Sequence, residues 1–168
     1  MNRHKRQQGF SLIELLIVVA IIGIVAAIAV PNLIASKRAS NEASALATMR
    51  IVFSAEATYQ STAGAGSYGD LAALRTHSLV DPVISAATIS AGAPKSGYLF
   101  SAENITGSGV PTFDAKAQPS LHSTSSSVYG TGSRSFFVNE AGAMYYNLTA
   151  TAPTCSASTR IVTGIALN

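Results

Sequence analysis

The chain has 168 residues, a length that suits one globular domain of about 100–150 residues with an additional segment. Charged residues make up only 11% of it, whereas soluble domains typically contain about 25%, and 48% of its residues are hydrophobic. This balance excludes a charge-rich disordered chain and does not suit a soluble cytosolic enzyme. Cys155 is the only cysteine, which excludes an intrachain disulfide and a CxxC motif.

The net charge of +3 belongs to the first residues of the chain. Arg3, Lys5 and Arg6 supply it, and from residue 9 onward eight basic side chains balance eight acidic ones. A protein that binds nucleic acid by neutralising phosphates needs a basic patch in its folded part, and none is evident in the sequence. Nucleic acid is therefore not an expected partner.

The strongest feature is the apolar segment from Phe10 to Val30, which contains one charge, Glu14, and is followed by Pro31. As an α-helix, such a segment would span about 31 Å, close to the thickness of the hydrocarbon core of a bilayer. The basic residues before it predict that the N-terminus stays in the cytoplasm and that the rest of the chain lies on the far side.

Three interpretations of this segment remain open on these grounds. A secretory signal peptide fits the basic start and the A-x-A sequence at residues 27–29, but the apolar run is longer than usual and contains a carboxylate. An uncut single-pass anchor leaves Glu14 unexplained, because ionisable groups in apolar spans usually have partners. Cleavage after Gly9 would instead create the ammonium of Phe10 one helical turn from Glu14.

The sequence GFSLIE at residues 9–14, after a short basic leader, resembles the class III signal of type IV pilins and type II secretion pseudopilins. The resemblance continues through the apolar run to Pro31. It implies that a prepilin peptidase cleaves between Gly9 and Phe10 and methylates the new amine. It also implies extraction from the lipid of the inner membrane by assembly machinery into a helical filament of identical subunits.

The resemblance also implies that Glu14 of one subunit meets the Phe10 amine of a neighbour. An ammonium and a carboxylate are each costly when buried alone in an apolar filament, and pairing offsets much of that cost. The alternatives are that Glu14 neutralises its own N-terminus or is protonated at the membrane interface.

Gly23 and Pro31 fall inside the predicted helix and both weaken it, since proline removes one backbone hydrogen bond. We expect a kink there. One interpretation is that the segment between them is bent, or is extended in a filament. The other is that it has a mild kink without functional consequence.

After Pro31 the chain is more polar but contains no glycine or proline over 32–63, so we expect the helix to continue to about Ser61. An apolar stripe at helical spacing predicts the face that packs on the head: Leu46, Met49, Phe53 and Ala57. Charged and polar pairs at i,i+4 are expected on the outside: Arg38 with Glu42, and more weakly Lys37 with Asn41.

Gly64 and Gly66 predict the end of this helix. A short helix capped by Ser67, with Asp70 three residues on, and a turn at Asp81-Pro82 are expected next.

Short strands separated by glycines are predicted over 98–101 and 112–115, followed by a hairpin of 134–138 and 143–146 with Gly142 at positive φ. A last or edge strand is expected over 160–163. These elements predict an α+β fold, in which a long N-terminal helix packs by its second half on a small antiparallel sheet.

The sequence offers no catalytic, metal-binding or cofactor motif. His77 and His122 are the only histidines beyond the leader, and neither stands in a G-x-S-x-G elbow or at metal-ligand spacing. Many pilins close a C-terminal loop with a disulfide, and with Cys155 alone such a loop would depend on hydrogen bonds and packing.

We therefore expect four segments: a leader over 1–9, a membrane and assembly helix over 10–31, an amphipathic helix over 32–62 and a globular head over 63–168. The resemblance implies a non-enzymatic pilin of a type IV pilus, first in the inner membrane and then on the cell surface. A pseudopilin of a type II secretion system is the alternative, and an anchored exported binding protein or enzyme is less expected.

Overall fold

A computed structural model describes residues 9–90, 93–105, 109–124, 129–156 and 161–167. The basic leader residues Arg3, Lys5 and Arg6 lie outside them. The chain divides into two compact units, Met1–Ser36 and Lys37–Asn168, whose boundary in the sequence falls within the first helix. All the strands belong to the second unit.

Helix α1 covers Leu12–Ser61, 50 residues, and neither Gly23 nor Pro31 interrupts it. It ends in a turn over 62–66 in which Gly66 has a φ of +92°. There the Gly64 and Gly66 N–H groups donate to carbonyls of the last helical turn, with N–O distances of 2.7 and 2.9 Å. The predicted end of the helix at these glycines is confirmed.

Two short helices follow, and each is capped by an aspartate. Helix α2 covers Leu71–Thr76, and the Asp70 side chain accepts a hydrogen bond of 2.7 Å from the Ala73 N–H group. The prediction that Ser67 caps this helix is wrong, because Asp70 itself has the extended backbone and the short acceptor side chain of an N-cap.

Helix α3 covers Pro82–Ala86, and the Asp81 side chain accepts a hydrogen bond of 2.6 Å from the Val83 N–H group. The turn expected at Asp81-Pro82 is thus the start of a helix, since proline suits the first helical position.

Five antiparallel strands form one sheet in the order β1-β2-β3-β4-β5. They are β1 (Tyr98–Ile105), β2 (Thr112–Pro119), β3 (Ser135–Asn139), β4 (Met144–Asn147) and β5 (Ile165–Ala166). The predicted α+β fold with a long helix and a small antiparallel sheet is confirmed. The hairpin β3–β4 is also as predicted, and Gly142 in its turn has a φ of +75°.

The edge strand is not where we expected it. Within the predicted 160–163, Arg160 lies outside the described residues, and Val162 makes only an isolated bridge with Cys155. The reason is that this segment closes a loop on itself: the Ser156 N–H group donates to the Ile161 carbonyl and the Thr163 N–H group to the Thr154 carbonyl, both at 3.0 Å.

The core lies between the second half of α1 and one face of the sheet. Met49 is buried as expected, and Leu46 and Phe53 are partly buried against the core, but Ala57 is exposed. The predicted face is therefore rotated from the real one, whose buried residues are Glu42, Ala45, Thr48, Met49, Val52, Ala55 and Glu56. Because this face contains Glu42 and Glu56, the spacing of apolar residues alone does not identify it.

Strand β3 is buried on both faces of the sheet. Phe136 belongs to the main core, whereas Phe137 faces the other way, against the ring of Tyr145 at a centroid distance of 6.5 Å. The Ser135 hydroxyl donates to the Thr151 carbonyl at 2.5 Å, so the segment after β4 is fastened to β3. Burial on both sides explains the almost continuous apolar run of this strand.

Met49→Ala tests the helix face. Met49 is 1% exposed, so its truncation should lower the free energy of unfolding by about 2–5 kcal/mol. Ile51→Ala, on the opposite side and 48% exposed, should change it by less than about 1 kcal/mol. Urea unfolding of the full chain in detergent, followed by near-ultraviolet circular dichroism, measures both, and equal losses would contradict the assignment.

Candidate functional site

The start of α1 positions the acidic side chain that the sequence singled out. Ser11 precedes the first helical residue, Leu12, and its backbone N–H group donates to Oε2 of Glu14 at 3.0 Å. This bond is one half of a capping box, in which the third helical residue satisfies an N–H group that the helix leaves free. Phe10, one residue earlier, is 89% exposed.

Gly9 has no local structural reason to be glycine. A Cβ atom built on it meets nothing within 4 Å, and its φ is not in the left-handed region. A requirement for glycine at this position would therefore come from another molecule that binds this segment.

The apolar side chains of α1 form a surface that the chain itself leaves uncovered. An 18-residue window of the helix has a mean hydropathy of 3.0, and none of it is buried. By length and composition the helix can cross a membrane, although a signal sequence would pass the same test. Exposed apolar area of this extent is unfavourable in water, so its ordinary environment is lipid or other protein.

Gly23 and Pro31 lie further along the same helix and do not share a site with Glu14. At 1.5 Å per residue, Pro31 is about 26 Å from Glu14 along the axis. A Cβ atom on Gly23 would also meet nothing within 4 Å. The predicted kink at these residues stays a prediction.

Comparison with known proteins shows what the N-terminal segment is similar to. A family model described as the prokaryotic N-terminal methylation motif matches residues 4–30. Residues 4–30 therefore carry an N-terminal methylation motif. The chain is 46% identical over 54 residues to the type IV major pilin protein PilA of Myxococcus xanthus, covering 32% of this chain and 24% of that protein.

A second relative is the type IV wide pilus major component PilA4 of Thermus thermophilus. It is 53% identical over 38 residues, which cover 23% of this chain and 29% of that protein. The matches thus span less than a third of either pilin. No solved structure matches the chain. The predicted resemblance to type IV pilins is confirmed, and the motif with its apolar helix fits a membrane-anchored precursor.

Glu42, which lies beyond the matched residues 4–30, is one of the residues that sequence reasoning placed wrongly. It is only 4% exposed, and it does not pair with Arg38 on the outside. Its Oε1 accepts hydrogen bonds of 2.8 Å from the N–H and hydroxyl groups of Ser133, and its Oε2 accepts one of 2.7 Å from Nε of Arg134. The predicted Arg38–Glu42 pair is wrong because the head offers Glu42 three donors.

Neighbouring side chains of α1 bind the same part of the head. Nη1 of Arg38 donates to the Ser123 hydroxyl at 2.5 Å, and Nδ2 of Asn41 donates to the Thr131 carbonyl at 2.9 Å, so the expected Lys37–Asn41 pair is also replaced. Together with Glu42 they form the α1–head clamp, which we define as Arg38, Asn41 and Glu42.

The electrostatics of the clamp favour an ionised Glu42. Burial raises the pKa of this carboxyl, but the hydrogen bonds from Ser133 and Arg134 and the charge of Arg134 outweigh it, so the pKa lies below 4.5. Tyr98 donates to the Arg134 carbonyl at 2.6 Å, and burial followed by the nearby Glu42 charge raises its pKa. A Cβ atom on Gly132 would overlap the Tyr98 hydroxyl, so only glycine fits there.

The two histidines have ordinary structural contacts. The ring of His77 packs edge-on against Tyr59, at a centroid distance of 5.4 Å, and Nε2 of His122 lies 3.1 Å from the Ser133 carbonyl. Within the part of the chain that the structure describes, no group of three or more His, Cys, Asp or Glu side chains is arranged to hold a metal ion.

Glu42→Gln tests the clamp through pH. A depressed pKa means that the ionised carboxyl stabilises the fold above pH 4.5 and that this contribution is lost as the pH falls. At pH 7 the variant should be less stable by about 1–3 kcal/mol, and the difference should narrow below pH 4.5.

Denaturation of the full chain in detergent across this pH range measures the effect. Glu103→Gln is the matched control, because Glu103 pairs with Lys116 at 3.6 Å on the surface. Its effect should stay below about 1 kcal/mol. A Glu42→Gln variant as stable as wild type at pH 7 would contradict the role of the clamp.

Proposed function

We propose that this chain is the structural subunit of a type IV pilus, which polymerises through its N-terminal helix. The observation that carries the proposal is the combination at the start of α1: an apolar surface with no buried residue, one acidic side chain in the first turn, and a preceding glycine with no local structural role. The methylation motif at residues 4–30 and the two pilin relatives support it.

Processing is the first step of the proposed function. A prepilin peptidase cleaves between Gly9 and Phe10 and methylates the new amine of Phe10. The chain is then held in the inner membrane by residues 10–31 until the assembly machinery transfers it to the filament. The role is structural and needs no catalytic group or cofactor of its own.

Assembly replaces lipid around the apolar surface by the same surface of other subunits. The Glu14 carboxylate of one subunit then accepts the ammonium of Phe10 from a neighbour. The existing hydrogen bond from Ser11 does not prevent this, because a carboxylate has about four acceptor positions on two oxygens. The pair fixes the register between neighbouring helices, since an unpaired charge would be buried in any other register.

The α1–head clamp gives the head its part in this function. Forces on the filament act on the apolar part of α1, while the head forms the filament surface. Hydrogen bonds from the clamp tie the helix to the head just after the assembly segment, and the residues that they reach are Ser123, Thr131, Ser133 and Arg134. The head therefore moves with the helix to which it is attached.

Gly9→Val tests processing. A peptidase site that requires glycine has no room for a branched side chain, so full-length protein should accumulate in the membrane fraction and filaments should be absent. The open space at Gly9 means that the substitution disturbs no contact within the chain. Mass spectrometry of the membrane-extracted protein gives the answer.

Gly23→Ala is the matched control for Gly9→Val, because its Cβ atom also meets nothing and alanine favours the helix. This variant should be cleaved normally, with Phe10 as its methylated first residue. Normal mature protein from Gly9→Val would overturn the proposed processing.

Glu14→Ala and Glu14→Gln together test assembly. Both should be inserted and cleaved, because removing the charge makes the segment more apolar. Both should lower filament yield by more than about tenfold, because the incoming ammonium of Phe10 would be buried unpaired. The measurement compares mature protein in membranes with protein in sheared filaments, in cells that contain no wild-type subunit.

Glu14→Gln separates the two roles of this side chain. Glutamine keeps an oxygen that accepts from the Ser11 N–H group but carries no charge. If Glu14 only caps its own helix, the glutamine variant assembles like wild type and the alanine variant does not, and intersubunit pairing is then excluded.

A further inference from the structure

Glu56 is a buried acidic side chain that belongs neither to the N-terminal segment of residues 9–31 nor to the α1–head clamp. It lies near the end of α1, on the face that packs against the core, and it is 0% exposed. Its Oε2 accepts a hydrogen bond of 2.9 Å from the Gly69 N–H group. Its Oε1 is buried and has no hydrogen-bond partner among the residues that the structure describes.

Gly69 belongs to the α1–α2 loop, which we define as residues 62–70. Other contacts also hold this loop: the Gly64 and Gly66 N–H groups donate to carbonyls of the last turn of α1. The half-buried Tyr68 packs its ring on Phe113 at a centroid distance of 4.7 Å, and its carbonyl accepts from Nδ2 of Asn104 at 2.8 Å. The bond between Gly69 and Glu56 ties the loop to α1 immediately before Asp70 begins α2.

The surroundings of Glu56 favour its neutral form. Asp70 on the loop is the charged group that acts on Glu56, and the charges of Glu56 and Glu140, the latter in the β3–β4 turn, both act on Tyr68. Further titratable groups lie one contact away: Tyr59 on α1, which packs on His77, and Glu103 on β1, which lines the cavity beside Gly69. In the described part of the chain no lysine or arginine forms an ion pair with Glu56. Burial, with a smaller contribution from the Asp70 charge, raises the pKa of Glu56 to about 7.

We propose that Glu56 is a proton-dependent latch, which holds the α1–α2 loop on the helix while its carboxyl group is protonated and releases it on ionisation. The geometry accounts for both states. A neutral carboxyl with one good hydrogen bond is tolerated in an apolar site, whereas a carboxylate with a single donor is not. Ionisation therefore favours an open loop in which water reaches Oε1.

The direction of the pH effect follows from the two states. In the closed loop the pKa of Glu56 is about 7, and in an open, hydrated loop it returns towards 4.5. The closed loop thus binds the proton more tightly, so opening is rare at low pH, increases as the pH rises from 4.5 to about 7, and levels off above that. Opening increases by at most about tenfold per pH unit.

Hydrogen–deuterium exchange of the full chain in detergent micelles tests the latch. Protection factors, corrected for the intrinsic pH dependence of exchange, are measured between about pH 5 and pH 8 for a peptide covering the α1–α2 loop. We expect protection of this peptide to fall by more than about tenfold between about pH 5 and pH 7.5 and then to level off. Unchanged protection over this range would overturn the proposal.

Substitutions assign the effect to Glu56. Glu56→Gln keeps the shape and an acceptor for the Gly69 N–H group without a titrating proton, so its protection should not depend on pH. Glu103→Gln and His77→Gln should keep the dependence of wild type, the latter because histidines titrate in the same range. A pH dependence that survives in Glu56→Gln, or disappears in His77→Gln, would overturn the assignment.

A measurement on the wild-type chain covers the case in which Glu56→Gln does not fold. The ¹³C chemical shift of the Glu56 carboxyl carbon reports its ionisation directly. Titration near pH 7, together with the loss of loop protection, supports the latch. Titration below about pH 5 overturns it.

Discussion

The uncovered apolar surface of α1 is the constraint on which the rest of the structure depends. The first part of this helix has an 18-residue window with no buried residue, and such an apolar surface is stable in lipid or against other protein rather than in water. Among the described residues, hydrogen bonds from α1 to the head are made by Arg38, Asn41 and Glu42, beyond the apolar run. One continuous helix thus serves two environments, an apolar one before Pro31 and an ordinary protein core from Glu42 onward.

Three glutamates on this one helix show how differently a carboxyl group can be accommodated. Glu14 accepts one backbone N–H group at an exposed helix start. Glu42 is buried with three donors, one of them charged, and stays ionised. Glu56 is buried with one donor, and its pKa rises. The number of donors, rather than burial alone, decides whether the charge is kept.

Local patterns predict most of the fold and the N-terminal site, but not the contacts that hold helix and head together. The length of α1, its glycine-containing end and the β3–β4 hairpin follow from helix formers, glycine positions and β-branched or aromatic runs. Gly9 and Glu14 follow from the motif. Glu42 accepts a hydrogen bond from Ser133, 91 residues away in the sequence, and Glu56 accepts one from Gly69, beyond the end of the helix. The residue pattern within the helix indicates neither partner. Because such contacts also decide which face is buried, the predicted stripe through Ala57 was rotated.

Hydrogen bonds rather than a disulfide hold the segment around Cys155 against residues 161–163. Backbone hydrogen bonds join Thr154 to Thr163 and Ser156 to Ile161, and Cys155 pairs with Val162 in an isolated bridge. Each bond contributes about 1 kcal/mol, whereas a disulfide typically contributes about 2–4 kcal/mol, so several such bonds reach a comparable total. Thr154, Ser156, Ile161 and Thr163 are exposed, so these bonds compete with water, whereas Pro153 beside them is buried. The backbone pairing, together with the buried Pro153, therefore holds residues 154–156 against 161–163 without a covalent bond.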